Sequence, residues 1–170
     1  MKKNKIFFAI LALCLIFSCG NDDNINQESN LEQQLIGKWN LEKQYYTSSN
    51  IETYPSTCFK NNYALEFISA ENVTETFCRY NSVSGNQEVT TLNYSSSIIN
   101  DTNDPSVKVL RIFSQSGGYN GGMLQKRYFI RSIDENNMVL ELFFLSNEFL
   151  TQGSASLSDN QKLTLLLSKE

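Results

Sequence analysis

From Leu35 onward the hydrophobic residues recur with a period of two, and no helical stretch of useful length interrupts them except at Leu31 to Ile36. Leu65 and Phe67 alternate with Ala64 and Glu66, and Val73 and Phe77 flank Glu75 with threonines opposite. Val107, Val109 and Phe113 share one face against Leu110 and Ile112. Tyr128 and Ile130, then Met138, Leu140, Leu142 and Phe144, then Leu163, Leu165 and Leu167 continue the alternation. With the segment around Trp39 and a weaker one at Glu88 to Tyr94, this predicts about eight strands. Parallel pairing needs long crossovers, usually helical, so the strands must run antiparallel through hairpins. Eight antiparallel strands around one core close most simply into an up-and-down barrel, which removes exposed edges. A β-sandwich is the alternative. Clusters such as Asp101-Thr102-Asn103-Asp104-Pro105 and Asp134-Glu135-Asn136-Asn137 mark the turns.

At 170 residues the chain suits one such domain. It holds no His, which excludes Ser–His–Asp and Cys–His nucleophile systems and imidazole-based zinc sites. With 14 Lys+Arg against 18 Asp+Glu, it has no general basic field and no nucleic-acid partner is expected.

The amino terminus reads as a targeting segment. Lys2, Lys3 and Lys5 precede an apolar run from Ile6 to Phe17, too short to span a bilayer but suited to a signal-peptide core. Ile16-Phe17-Ser18-Cys19-Gly20 resembles the bacterial lipobox, which implies cleavage before Cys19 and acylation of its thiol. Each buried acyl CH₂ contributes ~0.8 kcal/mol, so two or three chains hold a protein at a membrane permanently. Asp22 and Asp23, just after the cysteine, resemble the surface-export signal of lipoproteins in the Bacteroidota. The division expected is a leader over 1–18, a polar tether over 19–34 and a barrel over 35–170. The tether is too poor in apolar residues to offset its ordering entropy, and ~15 flexible residues span ~20 Å.

With Cys14 lost with the leader and Cys19 acylated, Cys58 and Cys78 remain as an even pair in an exported chain. A disulfide is the expected state, with free thiols or a metal site as alternatives.

Leu35-Ile36-Gly37-Lys38-Trp39 is similar to the G-x-W motif that opens lipocalins. Together with the lipobox, the Cys58…Cys78 pair and the hairpin between Tyr128-Phe129-Ile130 and Val139-Leu140-Glu141-Leu142, it resembles the lipocalin-like lipoproteins of the Bacteroidota over residues 31 to 168. That resemblance implies an eight-stranded barrel, a Trp at its closed end and a disulfide near the second and third strands. It implies an outer-membrane lipoprotein of the cell envelope, and no particular chemistry. The later-strand lipocalin motifs are not recognisable here.

Other motifs offer little chemistry. Gly117-Gly118-Tyr119-Asn120-Gly121-Gly122 lacks the Lys-Ser/Thr and helix of a phosphate loop. Asp101 to Asp104 lacks the downstream Glu of a calcium loop and reads as a capped turn. Glu66, Glu75 and Glu141 sit on strands, where alternation places them on the solvent face; a carboxylate-based hydrolase is the weakest reading. Tyr45, Tyr46, Tyr54, Tyr63, Phe67, Tyr94, Tyr119 and Tyr128 supply rings for a core or a ligand site. Both faces of the strand ending at Leu145 are apolar, and Ser146 to Asp159 is expected to fold back as cover, or the face to meet a partner. No cofactor, metal site or catalytic residue is expected. The functional expectation is a non-enzymatic, membrane-anchored barrel that binds a small apolar or amphipathic ligand; the alternative is a surface protein that binds a protein or glycan.

Overall fold

A computed structural model describes residues 30–114, 124–147 and 155–170. The strands among the described residues all lie within Leu31–Glu170. These are β1 (Gly37–Tyr46), β2 (Ala64–Ser69), β3 (Asn72–Asn81), β4 (Asn86–Asn100), β5 (Lys108–Phe113), β6 (Leu124–Ile133), β7 (Asn137–Asn147), β8 (Ala155–Ser156) and β9 (Leu163–Lys169). Every pairing is antiparallel, each long strand lies beside its sequence neighbours, and β1–β9 and β6–β7 complete a ring. The result is a closed eight-stranded barrel, with the two-residue β8 paired to β7 at Phe144 and Leu145. Among the described residues closure gives every long strand a neighbour on both sides, although residues 86–94 of β4 extend past β5.

Side-chain hydrogen bonds set the turns. Asp134 accepts from the backbone N–H of Asn136 and Asn137, both at 2.8 Å. Asn81 accepts from Val83 and Ser84, with Gly85 at φ +71° closing that hairpin. Asp101 accepts from Asn103 and Asp104, and Asp104 in turn from Ser106, the capped turn expected there.

The lower end of the barrel is shut by its own amino terminus. Residues 31–35 are helical, and Leu35 and Trp39 are fully buried. Trp39 Nε1 donates to the Leu35 carbonyl at 2.8 Å, fastening the helix to the strand it precedes. Between them Gly37 has φ +125°, which a side chain rarely adopts. The Lys169 chain passes over this glycine, donates to the Gln34 carbonyl at 3.1 Å and rests 5.0 Å from the Trp39 ring centroid. A Cβ on residue 37 would lie 2.7 Å from Lys169 Cε. Glycine is therefore needed for the backbone angle, and a side chain there would also push the flexible end of Lys169 aside. Gly37→Ala is expected to lower the unfolding free energy by about 1–3 kcal/mol, read from urea denaturation; an unchanged midpoint would contradict this.

Helix α1 (Thr57–Asn62) is capped by Ser56, whose hydroxyl accepts from Phe59 N–H at 3.1 Å. It packs against β3 and β1, and the Cys58–Cys78 disulfide ties it to β3 across a Cα separation of 5.7 Å. The bridge closes a sequence separation of 20 residues, so a Cys58→Ala/Cys78→Ala variant should lose about 3 kcal/mol in the chain-entropy picture. Equal urea midpoints for the two proteins would count against a stabilising role.

Several strand details differ from the alternation. The segment around Glu88 to Tyr94 is the longest strand, Asn86–Asn100, because polar residues suffice where only one face is covered. On β7, Tyr128 pairs with Leu142 and Arg127 with Phe144, so Phe143 is an extra residue, a β-bulge. Phe143 and Phe144 therefore both turn outward, Phe143 stacked on Phe129 at 3.9 Å and Phe144 under the Arg127 guanidinium at 4.5 Å. Leu145, expected on that outer face, instead pairs with the inward Lys126. Half of the proposed cover, residues 148–154, lies outside the described residues, as do the glycine loop and Tyr119; residues 155–156 form the short β8, and Leu157 packs half-buried against the core.

Candidate functional site

The lower interior is packed by Trp39, Leu65, Phe67, Leu110, Met138 and Leu140, each at 0–1% exposure. Above this apolar plug the barrel holds a charged pair. Glu75 on β3 and Lys126 on β6 face each other across the lumen, with Lys126 Nζ 2.6 Å from Oε1 and 2.5 Å from Oε2. The Glu75 side chain is 2% exposed and that of Lys126 is 18% exposed. Glu75 is thus not on the solvent face. It occupies the same side of β3 as Val73 and Phe77, and the apolar residues flanking it at two-residue spacing mark that side as the interior.

Three tyrosines surround the pair. Tyr63, Tyr94 and Tyr128 are 2–6% exposed, and Lys126 Nζ stands 5.9 Å from the Tyr94 ring centroid. Burial pushes the Tyr128 phenol up to about 12. Burial and the neighbouring Glu75 carboxylate raise Tyr63 well above its ordinary range and raise Tyr94 too. Burial works against the charge on Lys126, but the Glu75 carboxylate more than offsets it and holds the ammonium above its usual value. The cluster is therefore one anion and one cation, ringed by neutral phenols.

Toward the upper end the inner face is less covered. Leu92 pairs with Glu75, Leu145 with Lys126, and Leu163 with Tyr46. Leu145 and Tyr46 are each 39% exposed, whereas the lower inward residues are sealed. The arrangement is an apolar wall above a charged, hydrogen-bonding floor.

The other carboxylates lie elsewhere. Glu66 is exposed on the outer face of β2, and Glu141 is buried against the outside of β7 in a two-point pair with Arg131, both contacts at 3.0 Å. Glu75 faces inward and the other two outward, so the three expected carboxylates are not brought together. Arg131 in turn lies 4.6 Å from the Phe129 ring centroid. Of the expected aromatic residues, Tyr63, Tyr94 and Tyr128 converge on the pair. Phe67 belongs to the lower plug, and the Tyr54 hydroxyl accepts from Gln44 N–H at 3.3 Å. Tyr45 is half-buried. Lys126 was not recognisable in advance. Its only sequence signal is its place two residues before Tyr128, on the inward face of β6.

Fold and interior together define a closed antiparallel β-barrel with a buried ion pair. No family model, curated protein or solved structure matches the chain.

Proposed function

We propose that the chain is a lipid-anchored cell-envelope protein of the lipocalin-like type that binds an amphipathic carboxylate in the upper half of its barrel. The observation that carries this reading is the Glu75–Lys126 pair set across the lumen. Buried ion pairs add little net stability compared with apolar residues of similar volume, and ionisable groups held in unusual environments concentrate at functional sites. Lys126 is the more exposed partner and carries three N–H donors, of which Glu75 engages two contacts. A ligand carboxylate would take the third donor while its alkyl chain lies along Leu92, Leu145 and Leu163. The lipobox at Cys19 supports the anchor, and Asp22-Asp23 supports display at the outer-membrane surface.

Titration with the fluorescent fatty acid parinarate tests the ligand. Saturable binding is expected in the parent chain. The Glu75→Leu/Lys126→Met double variant should bind about 10- to 100-fold more weakly, the range of one charge-assisted hydrogen bond. Uncharged dodecanol should lose nothing in the same variant. Equal parinarate binding in both proteins would refute the site. Cys19→Ala should move the protein from the membrane to the soluble fraction, and a variant that stayed bound would refute the anchor.

A further inference from the structure

A second site lies on the outside of the wall. Below the carboxyl end of α1 a cleft of about 350 Å³ opens over β1, β2 and β3. Its floor is Ala64, whose small side chain sits in register between Asn40 and Thr76 and leaves the space empty of bulk. Asn61 and Asn62 close it from above. Two lysines stand at its margins, but each is ion-paired, Lys38 with Glu170 and Lys60 with Glu52. The cleft therefore presents amides and a hydroxyl, donors and acceptors in mixture, with its positive charges already compensated.

The surface beside the cleft has the same chemistry. Along the outer faces of β3 and β4, Thr76 stands opposite Thr91, Thr74 opposite Asn93, and Asn72 opposite Ser95. These three successive outward pairs carry no charge, and the one charged neighbour, Glu66 beside Thr74, is itself set opposite Lys38. The Thr76 and Thr91 hydroxyls hydrogen-bond each other at 3.0 Å, which fixes their rotamers and aims their remaining lone pairs outward. A charge-compensated cleft continued by a row of hydroxyls and carboxamides matches a ligand that is itself rich in hydroxyls and uncharged.

We infer that this cleft and the adjoining strand face bind a neutral saccharide, its terminal unit seated over Ala64 between Asn40, Asn61 and Thr76, and its next units along Thr74, Thr91 and Asn93. An inorganic or acidic anion fits less well, because Glu170 and Glu52 already hold the lysines. This site is separate from the barrel interior, and the two readings fail independently.

The test is a pair of ¹H–¹⁵N and methyl ¹H–¹³C correlation spectra of the full chain titrated with the neutral hexasaccharides of glucose (α- and β-linked), xylose and N-acetylglucosamine. At least one is expected to shift residues 38–41, 60–64, 74–76 and 91–93 saturably at millimolar concentration and to leave the Leu92, Leu145 and Leu163 side-chain methyls unmoved. Asn61→Ala and Thr76→Val, both at the surface, should each weaken that sugar about fivefold, the scale of one neutral hydrogen bond, with the rest of the spectrum unchanged. The inference is overturned if none of the sugars moves these resonances. It is also overturned if hexagalacturonate binds the cleft more tightly than every neutral sugar, or if the two variants bind as the parent does.

Discussion

Replacing Glu75 by leucine should lower the unfolding free energy by about 3–5 kcal/mol, the usual consequence of leaving one member of a buried ion pair without its partner. The reason lies in what remains. Lys126 Nζ has both Glu75 oxygens within 2.6 Å, and their removal leaves an ammonium facing tyrosines and leucines. The lysine then keeps its charge at a desolvation cost or gives up its proton, which at pH 7 costs about 1.4 kcal/mol for each unit that the pH lies below its ordinary value. Adding Lys126→Met removes the orphaned charge as well, so the double variant should return to within about 1 kcal/mol of the parent or exceed it. Urea denaturation of the three proteins measures this directly; a single variant as stable as the parent would show that the pair is not buried. The pH dependence has a definite sign. Lys126 and Tyr128, the latter at about 12, hold their protons more tightly folded than unfolded. Their contribution is complete below about pH 10, where the unfolded chain is still protonated, and is lost as pH rises toward the folded values. The parent should therefore weaken steeply above about pH 10, and the double variant less so.

Replacing Trp39 by alanine should cost about 3–5 kcal/mol, within the range for a fully buried large aromatic. The indole fills the lower end, donates to the Leu35 carbonyl and carries the Lys169 ammonium over its face. Its loss opens a cavity and also unfastens the helix at 31–35 from β1. Trp39→Phe separates the two effects. It keeps most of the ring volume but leaves the Leu35 carbonyl without its donor, a loss of about 1–3 kcal/mol. Thermal or urea melts that ranked phenylalanine and alanine equally would show that packing contributes little here.

Much of this fold was legible because the strand alternation is strong where one face is sealed. Leu65 and Phe67, Leu110 and Ile112, and Leu165 and Leu167 are all buried inward as their spacing implies. The absence of crossover helices then left antiparallel hairpins, and the barrel follows. The expected Cys58–Cys78 bridge is present. Legibility failed where the period breaks. The bulge at Phe143 shifts the phase by one residue, so Phe144 faces outward and Leu145 inward, an insertion that hydrophobicity cannot signal because both residues are apolar. It failed also at Glu75, where charge suggested solvent. Position should have outweighed residue type, since on the same face Val73 is a core residue and Phe77 packs against the core. The partner could not be read at all: Lys126 lies 51 residues away on a strand not adjacent to β3, and only the barrel's closure brings them together. The outer cleft was equally hidden, since its floor and walls come from three strands and a short helix.

Methyl and methylene ¹H–¹³C correlation spectra of the full chain titrated with dodecanoate test the proposed interior site most directly. Saturable shifts at Leu92, Leu145 and Leu163, together with a change at the Lys126 ε-methylene and silence at Leu65 and Leu167 in the sealed end, are expected. Shifts confined to outward residues such as Ile68 and Val89, or no saturable change at any methyl, would contradict a ligand held above the Glu75–Lys126 pair.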